Sequence, residues 1–200
     1  MLRLVLDVDV WVANVLASAR GRDGTSCQLL VESAILGHCR LGPLISRISL
    51  PMLDTLQVVL ERDFGLSLNL AEAARNVAEA AGEAPFPPLA VAGGGIQPMR
   101  DREDQGVLET ALAARADVLV TGNMRDFTPG PRSGIDADVL RLRDGRADVL
   151  LMKHARVPNG MVITTPVAAK AWLIDGHMPP PGVLNRFLPG RDLSVDSHET

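Results

Sequence analysis

Acidic side chains at the edges of apolar runs are the residues of this chain that could do chemistry. Asp7 closes the run Leu2-Arg-Leu-Val-Leu, Asp104 opens an amphipathic stretch, and Asp126 follows the run Val118-Leu-Val, with Thr121 and Asn123 between them. An ionised carboxylate at the end of a buried strand is unfavourable without a cation or several hydrogen-bond donors. A metal ion would provide that partner for Asp7. Asp9 reads more simply, as a hydrated acid capping the helix that follows.

The elements that must position these acids follow from periodicity. Val107, Leu108, Ala111 and Leu112 form one apolar stripe on a helix ending near Arg115, and Asp104 falls in its first turn, where unpaired N–H groups favour a carboxylate. Val118 to Thr121 reads as a short strand buried on both faces, as in a parallel sheet. Ligands of open α/β sheets bind at the carboxyl ends of such strands, which puts Thr121, Asn123 and Asp126 at the binding edge. Leu2 to Asp7 is the first strand and Val8 to Ala19 the first helix, ended by the turn from Gly21 to Gly24.

Thr25 to Gly42 predicts a second helix with Leu29, Leu30, Ser33, Ala34 and Leu36 on its loose apolar face, Gly37 or Gly42 at its end, and His38 and Cys39 as structural residues there. A short strand lies within Pro43 to Ser49. Pro51 suits a first helical turn, and the helix from Met52 to Arg62 aligns Leu53, Leu56 and Leu60, with Asp54 near its start. Ser67 to Ala81 is a further helix, with Asn69 and Glu72 at capping-box spacing and Gly82 beyond its end. Pro85 to Met99, including Gly93 to Gly95, matches no phosphate-binding glycine pattern and reads as a connector. Val149 to Met152 and Gly160 to Thr164 are strand candidates, and Thr165-Pro166 reads as an N-cap and first helical residue leading to Ile174.

Composition bounds the function. Two hundred residues, 46% hydrophobic and 22% charged, fit one globular domain with a substantial core. A net charge of −4 gives no global positive field that would announce nucleic acid. Of the 20 basic residues only Lys153 and Lys170 are lysine, an excess of arginine that base composition of the genome explains more readily than phosphate binding. Cys27 and Cys39 have no zinc-ligand or disulfide-framework spacing, and no stretch has the length to cross a bilayer. A cytoplasmic protein is expected.

The succession Leu-Val-Leu-Asp7, Pro51 to Ser67, Asp101-Arg-Glu-Asp104, Ala116-Asp-Val-Leu-Val-Thr-Gly-Asn-Met-Arg-Asp-Phe127 and Met-Val-Ile-Thr-Thr-Pro166 resembles a PIN domain over most of residues 1 to 174. Block order and spacing are similar to the toxin branch of that family, related to VapC-type toxin ribonucleases. The resemblance implies an α/β fold, a three-layer α/β/α sandwich around a mainly parallel sheet. The PIN-like domain would span 1–174, with an insertion at about 128–148, and a Pro-rich tail would occupy 175–200.

By position, Asp7 matches the family's first-strand aspartate, Asp54 is the nearest match to its second acid, Asp104 matches the third, Asp126 the acid before the last aromatic, and Thr121 the Ser/Thr of the fourth strand. Two residues depart from the pattern: Val8 stands where Ser or Thr is usual, and Asn123 where this branch often has Asp. The resemblance implies a metal-dependent ribonuclease, the toxin of a type II toxin–antitoxin pair, with RNA as substrate, a small antitoxin as partner and a homodimeric assembly. Converging oxygen ligands favour Mg²⁺ or Mn²⁺. Asp7 and Asp104 would be direct ligands and Asp126 a direct or water-mediated third, while Thr121 and Asn123 would orient water or phosphate. Two alternatives compete: a non-catalytic PIN-like interaction module, and a haloacid-dehalogenase-like phosphatase using Asp7 as nucleophile and Asp9 as acid.

Overall fold

The computed structural model describes residues 1–83, 89, 99, 101–128, 137–141 and 147–177. Its strands are β1 (Leu2–Leu6), β2 (His38–Cys39), β3 (Gly42–Arg47), β4 (Val118–Val120), β5 (Ala137–Arg141), β6 (Ala147–His154) and β7 (Val157–Thr164). The helices are α1 (Val8–Ala19), α2 (Ser26–Leu36), α3 (Leu50–Arg62), α4 (Leu68–Glu83), α5 (Arg102–Ala113) and α6 (Pro166–Leu173). Together they form an α/β fold of the α/β/α sandwich type, with sheet order β2-β3-β1-β4-β7-β6-β5. The four central strands β3, β1, β4 and β7 are parallel, and β2, β6 and β5 add antiparallel edges.

Burial explains the apolar runs. Leu4, Val5, Leu6, Val118, Leu119 and Val120 are all buried, as strands covered on both faces require. β1 lies between β3 and β4, paired Leu2 with Leu44 on one side and Leu6 with Val120 on the other. The chain therefore leaves β1 for one neighbour and returns through α3, α4 and α5 to the other. Such a reversal of strand order opens a crevice at the carboxyl ends of the two strands. At the opposite end Arg3 clamps the pair: its backbone N–H and guanidinium donate to the Asp117 carboxylate at 2.8, 3.2 and 2.9 Å.

The helix ends show their caps in detail. Thr25 and Gln28 form a capping box at the start of α2, and Gly37 ends that helix in the left-handed conformation at φ 66°. Thr165 caps α6 through the N–H of Ala168, with Pro166 in the first turn. Other local readings need correction. His38 and Cys39 form strand β2 rather than a helix end, pairing antiparallel with Pro43 and Gly42. Leu36 is exposed, and Val31 takes the buried place on α2. Asn69 lies inside α4, so it does not cap it; the carbonyl of Ser67 accepts the first N–H groups, from Leu70 and Ala71.

Gly82 is likewise inside α4. A Cβ at that position would run into the Ile48 side chain, so the glycine is required by helix–strand packing and not by chain termination. Part of the segment read as an insertion supplies β5, the edge strand paired with β6. The connector around Gly93 to Gly95 and the tail from 178 onward lie outside the described residues. Among the described residues, no helix is long and apolar enough to cross a membrane.

Candidate active site

Asp7 directly follows β1, and its backbone N–H donates to Val120 O at 2.9 Å, so the carboxyl ends of β1 and β4 are stitched together at the acid itself. The side chain is the N-cap of α1, accepting the N–H of Val8 at 2.6 Å. Only 5% of the residue is exposed. Capping and the helix dipole favour its ionised form. Burial opposes it and wins: desolvation, reinforced by the charge of Asp9, raises the Asp7 pKa to about 7 despite hydrogen bonds from Thr121 and the Val8 and Asp9 N–H groups.

Thr121 follows β4 and is fully buried. Its N–H donates to Thr164 O at 3.0 Å, its hydroxyl donates to Asp7, and its Oγ1 accepts the N–H of Asn123 at 2.9 Å. This small network fixes the Asp7 carboxylate against the β4 turn. The Asn123 side-chain amide in turn donates to Asp126 Oδ2.

Asp104 approaches from α5, whose N-cap is Asp101, accepting the N–H of Glu103 at 2.8 Å. The first turn of α5 carries Glu103 and Asp104. Asp104 is only half-buried, yet its pKa also rises to about 7, first through desolvation and then through the charges of Asp7, Asp101, Asp126 and Glu103. Four neighbouring carboxylates thus act on this one, and each raises its pKa.

These residues border a cavity of about 570 Å³ between α1, α3 and the start of α5. Asp7, Asp9, Asp104 and Asn123 are among its lining residues, together with the apolar side chains of Val12, Leu16, Met52, Val59 and Phe64. Val8, the apolar departure from the family pattern, also faces this space, and Arg102 is the cation among the lining residues. Of the residues expected at the site, Asp7, Asp104, Thr121 and Asn123 converge. Asp126 does not line the cavity but acts on Asp104 electrostatically. Asp54 is not brought to it: its side chain is 73% exposed and pairs with Arg75 of α4 at 3.6 Å. Helix α3 presents Met52 and Val59 to the cavity, and residue 54 falls on a different face.

Sequence reading left Asp9 out of the metal site, giving it a helix-cap role or that of the acid in the phosphatase alternative. Its carboxylate is largely buried and its pKa is raised by desolvation, with Asp104 adding to the rise and backbone N–H groups, that of Gly122 foremost, opposing it. The signal was the spacing from Asp7, two acids inside one strand-to-helix turn.

A divalent cation fits this donor set in chemistry. Among the described residues, no three carboxylate, imidazole or thiol groups form a ready-made ligand cluster. The donors facing the cavity are nevertheless all hard oxygens, two of them with ionisation held back by burial and then by neighbouring carboxylates, and Asp9 Oδ1 is buried without a hydrogen-bond partner. Mg²⁺ needs only one or two carboxylates and otherwise keeps its waters. Burial, and then the Asp9 charge, raise the pKa of the Cys27 thiol.

A family profile described as PIN domain matches residues 3–125, more than half of the chain. The chain belongs to the PIN domain family. PIN domains are typically nucleases, and this family's fold is the α/β/α sandwich described above. Membership leaves the dehalogenase-like use of Asp7 and Asp9 without a basis. No curated protein and no solved structure matches the chain.

Proposed function

We propose that this PIN domain is a divalent-metal-dependent ribonuclease that hydrolyses RNA phosphodiester bonds, and that it is the toxin of a VapC-type toxin–antitoxin pair acting in the cytoplasm. The observation that carries the reading is the pair Asp7 and Asp104, from different elements, lining one cavity with both pKa values raised to about 7. Perturbed acids in a cleft at the carboxyl ends of parallel strands mark a functional site.

In this reading Asp7 and Asp104 hold Mg²⁺ or Mn²⁺, and Asp126 acts on it from further out. When bound, the cation supplies Lewis acidity: it makes a water more acidic and offsets charge that develops on the phosphodiester. The Thr121 hydroxyl keeps Asp7 in its orientation, and Asn123 is placed to orient water or phosphate. Arg102 offers a phosphate contact at the mouth of the cavity. The apolar side chains in the lining lower the local polarity beside the acids and so strengthen these interactions.

Purified protein is expected to cleave single-stranded RNA with Mg²⁺ or Mn²⁺ and to stop on addition of EDTA. Cleavage that persists in EDTA removes the metal from the reading. A second reading, a non-catalytic PIN-like interaction module, draws on Val8 and Asn123 at their departing positions and on the lack of a ready-made ligand cluster; it predicts an intact fold that binds no Mn²⁺. The toxin role draws on the apolar cavity wall beside the acids, which suits a partner segment presenting apolar side chains and an arginine. Expression should arrest growth, and co-expression of the small protein encoded by the adjacent gene should relieve it. Normal growth at high expression of cleavage-competent protein overturns the toxin role.

A further inference from the structure

Asp9 is more than a helix-start acid. The cap of α1 is already provided by Asp7, so the second carboxylate is not needed for that purpose. Asp9 instead reaches across to the turn after β4, where its Oδ2 accepts the N–H of Gly122 at 2.8 Å. The N–H groups of Val10 and Asn123 also face the carboxylate, yet Oδ1 makes no hydrogen bond and is buried. A buried carboxylate oxygen left without a donor is costly unless something absent from the polypeptide satisfies it.

The approach depends on residue 122 having no side chain. A Cβ there would lie 2.7 Å from Asp9 Oδ2, closer than such atoms tolerate. Gly122 therefore both donates to Asp9 and leaves room for it. Asp9 shares the cavity lining with Asp7 and Asp104. Asp126 does not, and its Oδ2 is engaged by the Asn123 amide.

Asp7, Asp9 and Asp104 do not form a ready-made ligand cluster. We propose that the divalent cation itself draws them together: Asp9 is its third carboxylate ligand, beside Asp7 and Asp104, and Gly122 is the residue that positions it, with Asp126 acting from outside the ligand set. The assignment rests on the metal-dependent reading above.

Mn²⁺ titration of the full chain without RNA, followed by calorimetry or by the paramagnetic resonance of free Mn²⁺, separates the two. Asp9→Asn should weaken Mn²⁺ binding by about 10- to 100-fold or more, the range seen even for residues one step removed from a metal. Asp126→Asn should weaken it much less, and Gly122→Ala, which keeps the acid but displaces it, should fall between. Wild-type affinity in Asp9→Asn together with lost binding in Asp7→Asn overturns the role of Asp9 and leaves the metal reading intact. Absence of Mn²⁺ binding by the unmodified protein overturns both. If Asp9→Asn does not fold, as judged by its melt in EDTA, Gly122→Ala decides: unchanged affinity there overturns the proposal.

Discussion

Asp7→Asn and Asp104→Asn each lower metal-dependent RNA cleavage by about a thousandfold or more, which corresponds to losing roughly 4 kcal/mol of transition-state stabilisation. Each substitution keeps the size of the side chain and one acceptor oxygen, and removes one carboxylate from the cavity where both acids lie. The Asn at position 7 can still accept the Val8 N–H, so α1 keeps its cap and the circular dichroism should not change. Single-turnover cleavage of a labelled RNA gives the number. Either variant cleaving within about tenfold of the unmodified protein, a loss of only ~1.4 kcal/mol, would remove that acid from the machinery. Asp54→Asn is the informative contrast, because Asp54 pairs with Arg75 outside the cavity and its loss should leave cleavage near its original rate.

The same Asp7→Asn substitution stabilises the metal-free protein at alkaline pH. Asp7 carries a folded-state pKa of about 7 against an ordinary 3.8, chiefly through desolvation and then through Asp9. Between those values the folded state binds the extra proton, so stability falls as pH rises from about 4 and the penalty is complete above about 7. For this nearly buried group the penalty is on the order of 3 kcal/mol. Half-buried Asp104 adds in the same direction, with more screening by solvent.

In EDTA at pH 8, Asp7→Asn should therefore melt roughly 6–12 °C above the unmodified chain. The difference should nearly vanish at pH 4, where Asp7 is protonated in the folded state. Mn²⁺ at pH 8 should narrow or reverse it, since the cation stabilises only the charged form. Equal melting temperatures at pH 8, or an equal gain at both pH values, would contradict the buried-charge account.

What could be read from the chain alone depended on how local the cause was. The apolar run before Asp7, the stripe Val107, Leu108, Ala111 and Leu112, and the pair Thr165-Pro166 each carry their meaning within a few residues, and all three form the expected elements. Gly82 and Asn69 misled for the same reason. A glycine near the end of a helical pattern resembles a terminator, but Ile48, far away in sequence, dictates it. Asn69 has cap chemistry and cap spacing, yet α4 starts one residue earlier.

By itself the sequence determined the strands β1, β4 and β7, the helices that flank them and the acids at their ends, because side-chain period and capping chemistry act over one or two turns; the order of its acidic motif blocks carried the resemblance to the PIN domain family. Only tertiary structure decided which acids meet. The pairing of Leu6 with Val120 brings residue 7 beside the β4 turn and lets Asp9 touch Gly122. Packing of α3 against α4 carries Asp54 outward to Arg75. These encounters join segments more than a hundred residues apart or separate helices, and they are fixed by strand register and helix packing, which no local window of sequence contains.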